Sequence, residues 1–374
     1  MIRRIYINNF RCLENFELSV SGQSSVLLIG KNGAGKTTVG LALEILQNIA
    51  REPLSGGTNR VGELVKENAF YLGHSSAPMR FEIEVELDGR IYIYSVAFEL
   101  PPAFKELRVF DESFVVDGKA LYTRELAQVR LARTGQENEA HFRIDWHLVA
   151  LPIIQEQSTN DPLFIFKQWL ARMLILRPIP ALIRGNSDRE TLQPSPTVAD
   201  FGAWFSGLLA LAPGAYSKIE EYLRLVMPDF KDIKNPLVAK DARNLVVQFS
   251  NGPASVPLDF QVLSDGEKCF MICAMVLAAN DAYGPLLCFW DEPDNYLSLD
   301  EVGHLLIALR KIFKDSGQLI ATSHNPEAIR RFSRENTYLL HRKNHLEPTI
   351  IRQLSEIPVN GDLINALIRG DIEP

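Results

Sequence analysis

Few stretches of sequence leave a chain as little freedom of local fold as Gly30-Lys31-Asn32-Gly33-Ala34-Gly35-Lys36-Thr37. The pattern G-x-x-x-x-G-K-[ST] follows an apolar run, Val26-Leu27-Leu28-Ile29, and precedes apolar residues at helical spacing, Leu41, Leu43, Ile45, Leu46 and Ile49. Pro53 and the Gly56-Gly57 pair are expected to close that helix. A strand, a glycine-rich loop and a helix start in this order form a phosphate cradle. Glycines let the backbone wrap closely with its N–H groups turned inward, and the helix N-terminus favours negative charge. The expectation is that Gly30, Asn32, Gly33, Ala34, Gly35 and Thr38 surround a bound nucleotide. Lys36 reaches its outer phosphates and the Thr37 hydroxyl ligates Mg²⁺. A glycine-rich turn with an incidental lysine is the alternative, and the strand–loop–helix setting speaks against it.

Such a loop indicates a nucleotide without saying what is done to it; downstream residues carry that information. Leu286-Leu287-Cys288-Phe289-Trp290-Asp291-Glu292 is an apolar strand ending in two acids. The first carboxylate can orient Mg²⁺, and the second can polarise a water for attack on the terminal phosphate. Leu319-Ile320-Ala321-Thr322-Ser323-His324 places a histidine just past another apolar strand, where it can meet the same phosphate. Six other histidines have no such placement. Before the acids, Leu263-Ser264-Asp265-Gly266-Glu267 opens an apolar helix from Phe270 to Ala279. Ser264 and Gly266 at a helix start can offer a hydroxyl and free N–H groups to an anion. Ser264 and Glu267 also have the spacing of a plain capping box, and both readings can hold together.

Between the loop and these motifs the pattern changes. Met79-Arg80-Phe81-Glu82-Ile83-Glu84-Val85-Glu86-Leu87 alternates, Asp88-Gly89 is a hairpin signal, and Ile91-Tyr92-Ile93-Tyr94 resumes the alternation. Further strands are expected over 107–116 and 141–148. The organisation read from the sequence is an α/β core from 1–78 and 236–374, an antiparallel β-subdomain over 79–158 and a mainly helical insertion over 159–235. Arg4-Ile5-Tyr6-Ile7 and Phe16-Glu17-Leu18-Ser19-Val20 read as half-buried strands.

Bulk properties exclude some classes. A net charge of −7 gives no overall attraction to nucleic acid, although Arg3-Arg4 and Arg330-Arg331 with Arg334 are short basic clusters. Cys12, Cys269, Cys273 and Cys288 lack zinc-ligand spacing and read as small buried hydrophobes in a reducing cytoplasm. No apolar run has the length of a membrane span, so no membrane partner is expected.

Taken together and in this order, the motifs resemble the ABC-type ATPase superfamily. They match its P-loop, its LSxGE signature, its Asp-Glu strand, its D-loop (Leu297-Ser298-Leu299-Asp300) and its switch histidine. The resemblance covers the first fifty residues and the segment 262–326. Ile7-Asn8-Asn9-Phe10-Arg11-Cys12-Leu13 is similar to the opening of the SMC and RecF branch, whose small relatives serve genome maintenance and phage defence. The resemblance implies a P-loop NTPase with an ABC-type head, an antiparallel β-subdomain and a helical insertion. It implies ATP and Mg²⁺ as ligands and a homodimer in which Ser264 and Gly266 of one subunit cover the phosphate held by Lys36 of the other. Glu292 would be the general base, Asp291 and Thr37 the Mg²⁺ ligands, His324 the phosphate sensor, and Arg11 either a phosphate contact or an exposed turn arginine. Gln155, which follows the β-subdomain, is the candidate for the Q-loop. No long heptad segment is present, which speaks against an end-bridging arm. The function implied is a nucleotide-gated switch acting on a partner nuclease or toxin. That effector is expected to be a separate protein, because no acid cluster follows His324. A DNA-binding ATPase of repair is the alternative, and a transporter subunit fits less well.

Overall fold

The computed structural model describes residues 1–51, 60–102, 104–132 and 139–358. Its centre is a six-stranded sheet ordered Leu174–Leu176, Leu287–Trp290, Gln318–Thr322, Ser25–Ile29, Thr337–His341 and Ile350–Gln353. The first five strands run parallel and the last is antiparallel. Ser25–Ile29 lies between two neighbours, and all five of its residues are buried, as its unbroken apolar run demands. Its alternate side chains enter different cores: Val26 and Leu28 face one layer, Leu27 and Ile29 the other.

The first layer holds the helix Lys36–Ala50 and an eight-stranded antiparallel sheet. That sheet runs Phe16–Ser19, Ile2–Asn8, Met79–Leu87, Arg90–Glu99, Arg108–Val116, Lys119–Glu125, Gln128–Leu131 and Ala140–Arg143. The Asp88-Gly89 hairpin has φ of 50° and 74°, the geometry that matches strand twist. Strand Ile2–Asn8 pairs with Met79–Leu87, placing Ile5 beside Ile83, so the sheet draws on both of the first two segments read from the sequence. Period-two alternation identifies a strand without naming its neighbour. The strand expected over 141–148 is shorter, Ala140–Arg143, and turns back where Leu148 N donates to Asp145 O at 3.0 Å.

Helices Phe201–Leu211, Ala215–Val226, Asp265–Tyr283 and Leu299–Asp315 cover the other face. The segment read as helical also contains strand Leu174–Leu176, whose three residues are too few to show a period, and strand Phe230–Lys234. Helix Lys36–Ala50 ends before the expected Pro53 and Gly56-Gly57 stop, which lies outside the described residues. All four cysteines are free and buried. Among the described residues no helix is long and apolar enough to cross a membrane.

Candidate functional site

Because five strands of the central sheet run parallel, the loops after their carboxyl ends gather on one edge, where α/β sheets bind ligands. Three of those loops matter. Ser25–Ile29 leads into residues 30–35, Leu287–Trp290 into Asp291 and Glu292, and Gln318–Thr322 into Ser323 and His324.

The first loop needs its glycines. Gly30 has φ 149°, and a Cβ there would sit 2.2 Å from the Leu340 carbonyl oxygen. Gly33 and Gly35 adopt φ of 80° and 100°. Gly35 caps helix Lys36–Ala50 without any side-chain hydrogen bond, and no acidic residue occupies the first turn. The helix therefore presents N–H groups that no side chain satisfies, and its dipole is not countered locally.

Lys36 Nζ donates to Gly30 O at 2.9 Å and lies 2.7 Å from His324 Nε2. The same Nε2 is 3.2 Å from Glu292 Oε1. One ring nitrogen cannot accept from the ammonium and donate to the carboxylate together. Burial and then the Lys36 charge hold the His324 imidazole below its usual range, so it is neutral and Nε2 accepts. Glu292 then faces Lys36 and the ring edge without forming a salt bridge to His324. Burial likewise pushes the Lys36 ammonium down, opposed by Glu292, Asp291 and Asp294.

Thr37 Oγ1 donates to Asp291 Oδ2 at 2.7 Å, and Thr322 Oγ1 donates to Asp291 Oδ1 at 2.6 Å. The Glu292 N–H donates to Thr322 Oγ1 at 2.9 Å, and Asn295 Nδ2 donates to Glu292 Oε2 at 2.8 Å. Glu292 sits at φ 52°, left-handed for a residue with a side chain, where backbone strain collects at functional sites. A hydroxyl and a carboxylate make a hard oxygen pair. Among the described residues no group of three His, Cys, Asp or Glu could hold a metal ion. The pair therefore fits Mg²⁺ that takes its remaining ligands from phosphate and water, and not an all-protein cage.

A cleft of about 710 Å³ opens over these groups. Asn32, Gly33, Gly35, Lys36, Thr37, Thr38, Arg11 and Glu292 all line it. Gly30 and the buried Ala34 form the loop beneath. Arg11 is exposed at φ 53°, with its guanidinium 5.8 Å from the Phe10 ring, so it is a turn arginine that also faces the cleft. The far wall, Asn68, Ala69, Phe70, Leu72 and Gly73 with Arg342, carries no motif and was not legible in the sequence. Nor were Thr322, Asn295 and Asp294 singled out, although Asp294 follows the two acids closely.

Ser264 and Gly266 are not among the lining residues. Ser264 caps helix Asp265–Tyr283, and its N–H donates to Glu267 Oε2 at 2.7 Å, the capping-box reading. Gly266 abuts the Tyr296 carbonyl, so the helix start lies against the loop after the acids. Gln155 is not brought to this site; it lines a separate cleft with Tyr122 and Leu131. Beside the acidic strand, where Asp291 N donates to Leu176 O, the chain continues into Arg177, which pairs with Glu44. A glutamine in a polar stretch gave no information about which loop meets the sheet edge.

Residues 25–330 match the family model described as "AAA domain, putative AbiEii toxin, Type IV TA system". The chain belongs to this AAA family. Its fold is similar to the SmcHead bound to the C-winged helix domain of ScpA, at 14% identity and a TM-score of 0.51, covering 95% of this chain and 98% of that one. It is also similar to the Smc head domain with an extended coiled coil bound to the C-terminal domain of ScpA derived from Pyrococcus furiosus. That match has 11% identity and a TM-score of 0.54, covering 95% and 97%. No curated protein matches. The AAA-family chain thus shares its fold with these Smc head domains.

Proposed function

We propose that this AAA-family chain binds and hydrolyses ATP as a nucleotide-gated homodimer that controls a separate effector in phage defence. The observation that carries the reading is the contact of Lys36 with His324, of Thr37 with Asp291 and of His324 with Glu292, from three strand ends, beside a cleft that Lys36, Thr37 and Glu292 line. The residues 30–36 hold phosphates through their N–H groups and the Lys36 ammonium. Thr37 and Asp291 would hold Mg²⁺, which would supply charge neutralisation to the bound phosphates. Glu292, oriented by Asn295, takes a proton from the attacking water. Neutral His324 meets the terminal phosphate. Ser264 and Gly266 of the second copy complete the site, and catalysis is positioning and electrostatics around an in-line attack.

The effector reading is supported by the family's printed description, which names a toxin system. The DNA-repair alternative has less support, because the basic clusters are internally engaged. Arg3 and Arg4 pair with Glu84, Arg4 also with Glu17 and Glu82, and Arg330 and Arg331 with Glu327. Arg334 donates to the carbonyls of Leu354 and Ile357.

The test is Glu292→Gln. Turnover is expected to fall by about 10²–10⁴ with ATP affinity retained, and the protein to accumulate as an ATP-dependent dimer on size exclusion. Hydrolysis at the wild-type rate would remove Glu292 as the base.

A further inference from the structure

One buried hydroxyl stands between the two acids and has no role in the mechanism above. Thr322 ends strand Gln318–Thr322 and is 0% exposed. It pairs with Leu28 on one side and lies one step past Ala321, which pairs with Trp290 on the other. Its Oγ1 donates to Asp291 Oδ1 at 2.6 Å and accepts from the Glu292 N–H at 2.9 Å. Those two bonds use its single hydrogen and one lone pair. A buried strand position after Leu319, Ile320 and Ala321 asks only for a β-branched shape, which valine supplies as well. The hydroxyl serves the acids, not the packing of the strand. Asp291 is thereby fixed from three sides: its N–H donates to Leu176 O at 2.8 Å, Thr322 holds Oδ1, and Thr37 Oγ1 donates to Oδ2 at 2.7 Å. Glu292 follows at φ 52°, a backbone that glutamate disfavours, and its N–H is tied to the same threonine.

We infer that Thr322 is a positioning residue for both acids: its one hydroxyl engages Asp291 Oδ1, leaving Oδ2 beside Thr37 for a cation, and holds the backbone from which Glu292 reaches the attacking water. The role rests on the ATPase reading above. Thr322 is itself fully buried and acts only through the two carboxylates, as groups behind a metal ligand do. Without the hydroxyl, the Asp291 carboxylate loses one of its two bonded oxygens and the Glu292 N–H loses its acceptor. Both acids then keep their chemistry and lose their aim.

The experiment compares Thr322→Val, which removes the hydroxyl at nearly constant shape, with Thr322→Ser, which keeps it. Two quantities are measured for each and for wild type. One is kcat at saturating ATP and Mg²⁺; the other is the affinity for a non-hydrolysable ATP analogue, by calorimetry, in Mg²⁺ and in EDTA. Thr322→Val is expected to lower kcat by about 10–100-fold and to shrink the gain in affinity that Mg²⁺ brings by about tenfold. Its affinity in EDTA stays that of wild type, because Lys36 and residues 30–35 are untouched. Thr322→Ser retains most of the turnover and most of the Mg²⁺ effect. Wild-type kcat in Thr322→Val, a Mg²⁺ effect as large as in wild type, an equal loss of affinity in Mg²⁺ and in EDTA, or Thr322→Ser as slow as Thr322→Val would each overturn the inference. Should Thr322→Val fail to fold, Thr322→Ala against Thr322→Ser decides it by the same two measurements. Wild-type turnover in Glu292→Gln, or no Mg²⁺ effect on the wild-type protein, would instead remove the reading beneath it.

Discussion

Lys36 and His324 lie 2.7 Å apart in a half-buried setting that weakens the charge of both, and the proposed mechanism gives the lysine the task of meeting phosphate. Lys36→Ala should abolish ATP binding in a calorimetric titration, and an unchanged affinity would refute the phosphate-loop assignment. Asp294 allows a signed test of electrostatics. Its carboxyl rises from 3.8 to about 6 on folding, so between those values the folded state binds more protons than the unfolded chain. Its contribution therefore destabilises increasingly as pH rises through this window and costs about 3 kcal/mol above it. His324 shifts the other way, being held neutral, and stability from that group falls as pH drops through its lowered range. Urea unfolding of Asp294→Asn against wild type isolates the first effect. The variant should be the more stable above pH 6, with the gap closing toward pH 4; a pH-independent gap would contradict the burial argument. At this scale much of the polar cluster beside the cleft was legible, because Lys36, Asp291, Glu292 and His324 each come after an apolar strand and strand ends converge. Thr322 and Arg342 were not, since a threonine within a strand and an arginine after one look the same wherever they point.

Elements were readable in kind more than in company. Alternation identified strands at Arg4-Ile5-Tyr6-Ile7 and Met79–Leu87, yet their pairing depends on which apolar faces meet, a property of the folded sheet. Leu174–Leu176 was hidden because three apolar residues fit a helix as well as a strand. The antiparallel sheet also depends on a buried polar cluster. Glu112 accepts from Tyr94, Tyr122 and the N–H groups of Ala150 and Leu151, while Arg124, fully buried beside it, donates to the carbonyls of Leu126, Asp145 and Leu148. This cluster turns the chain from the sheet's last strand toward the core. Arg124→Ala strands a buried carboxylate and should cost about 3–5 kcal/mol, measured as a lowered urea midpoint. A variant within 1 kcal/mol or so of wild type would show the pair to be dispensable. Helix Lys36–Ala50 packs so closely that a Cβ on Gly40 would lie 2.4 Å from the Phe289 ring. Gly40→Ala should therefore destabilise by about 1–3 kcal/mol despite its better helix propensity, and a gain in stability would show that the ring yields freely.

For the whole molecule, the arrangement of motifs leaves one part unused within a single copy. Lys36 and Glu292 face the cleft, whereas Ser264 and Gly266 lie outside its lining on the loop edge near Tyr296, which is 57% exposed. The proposed head-to-tail pair would employ both. The long interval between the phosphate loop and the signature is filled by the antiparallel sheet and by helices Phe201–Leu211 and Ala215–Val226, with no heptad arm among the described residues. The most direct measurement mixes two variants. Lys36→Ala cannot hold phosphate, and Ser264→Arg, at an exposed position, cannot cover its neighbour's site. Each alone should be inactive as an ATPase. Mixed, they should regain turnover, because each mixed dimer contains one site with an intact Lys36 from one copy and an intact Ser264 from the other. Full activity of Ser264→Arg by itself, or no recovery on mixing, would contradict a site shared between two copies.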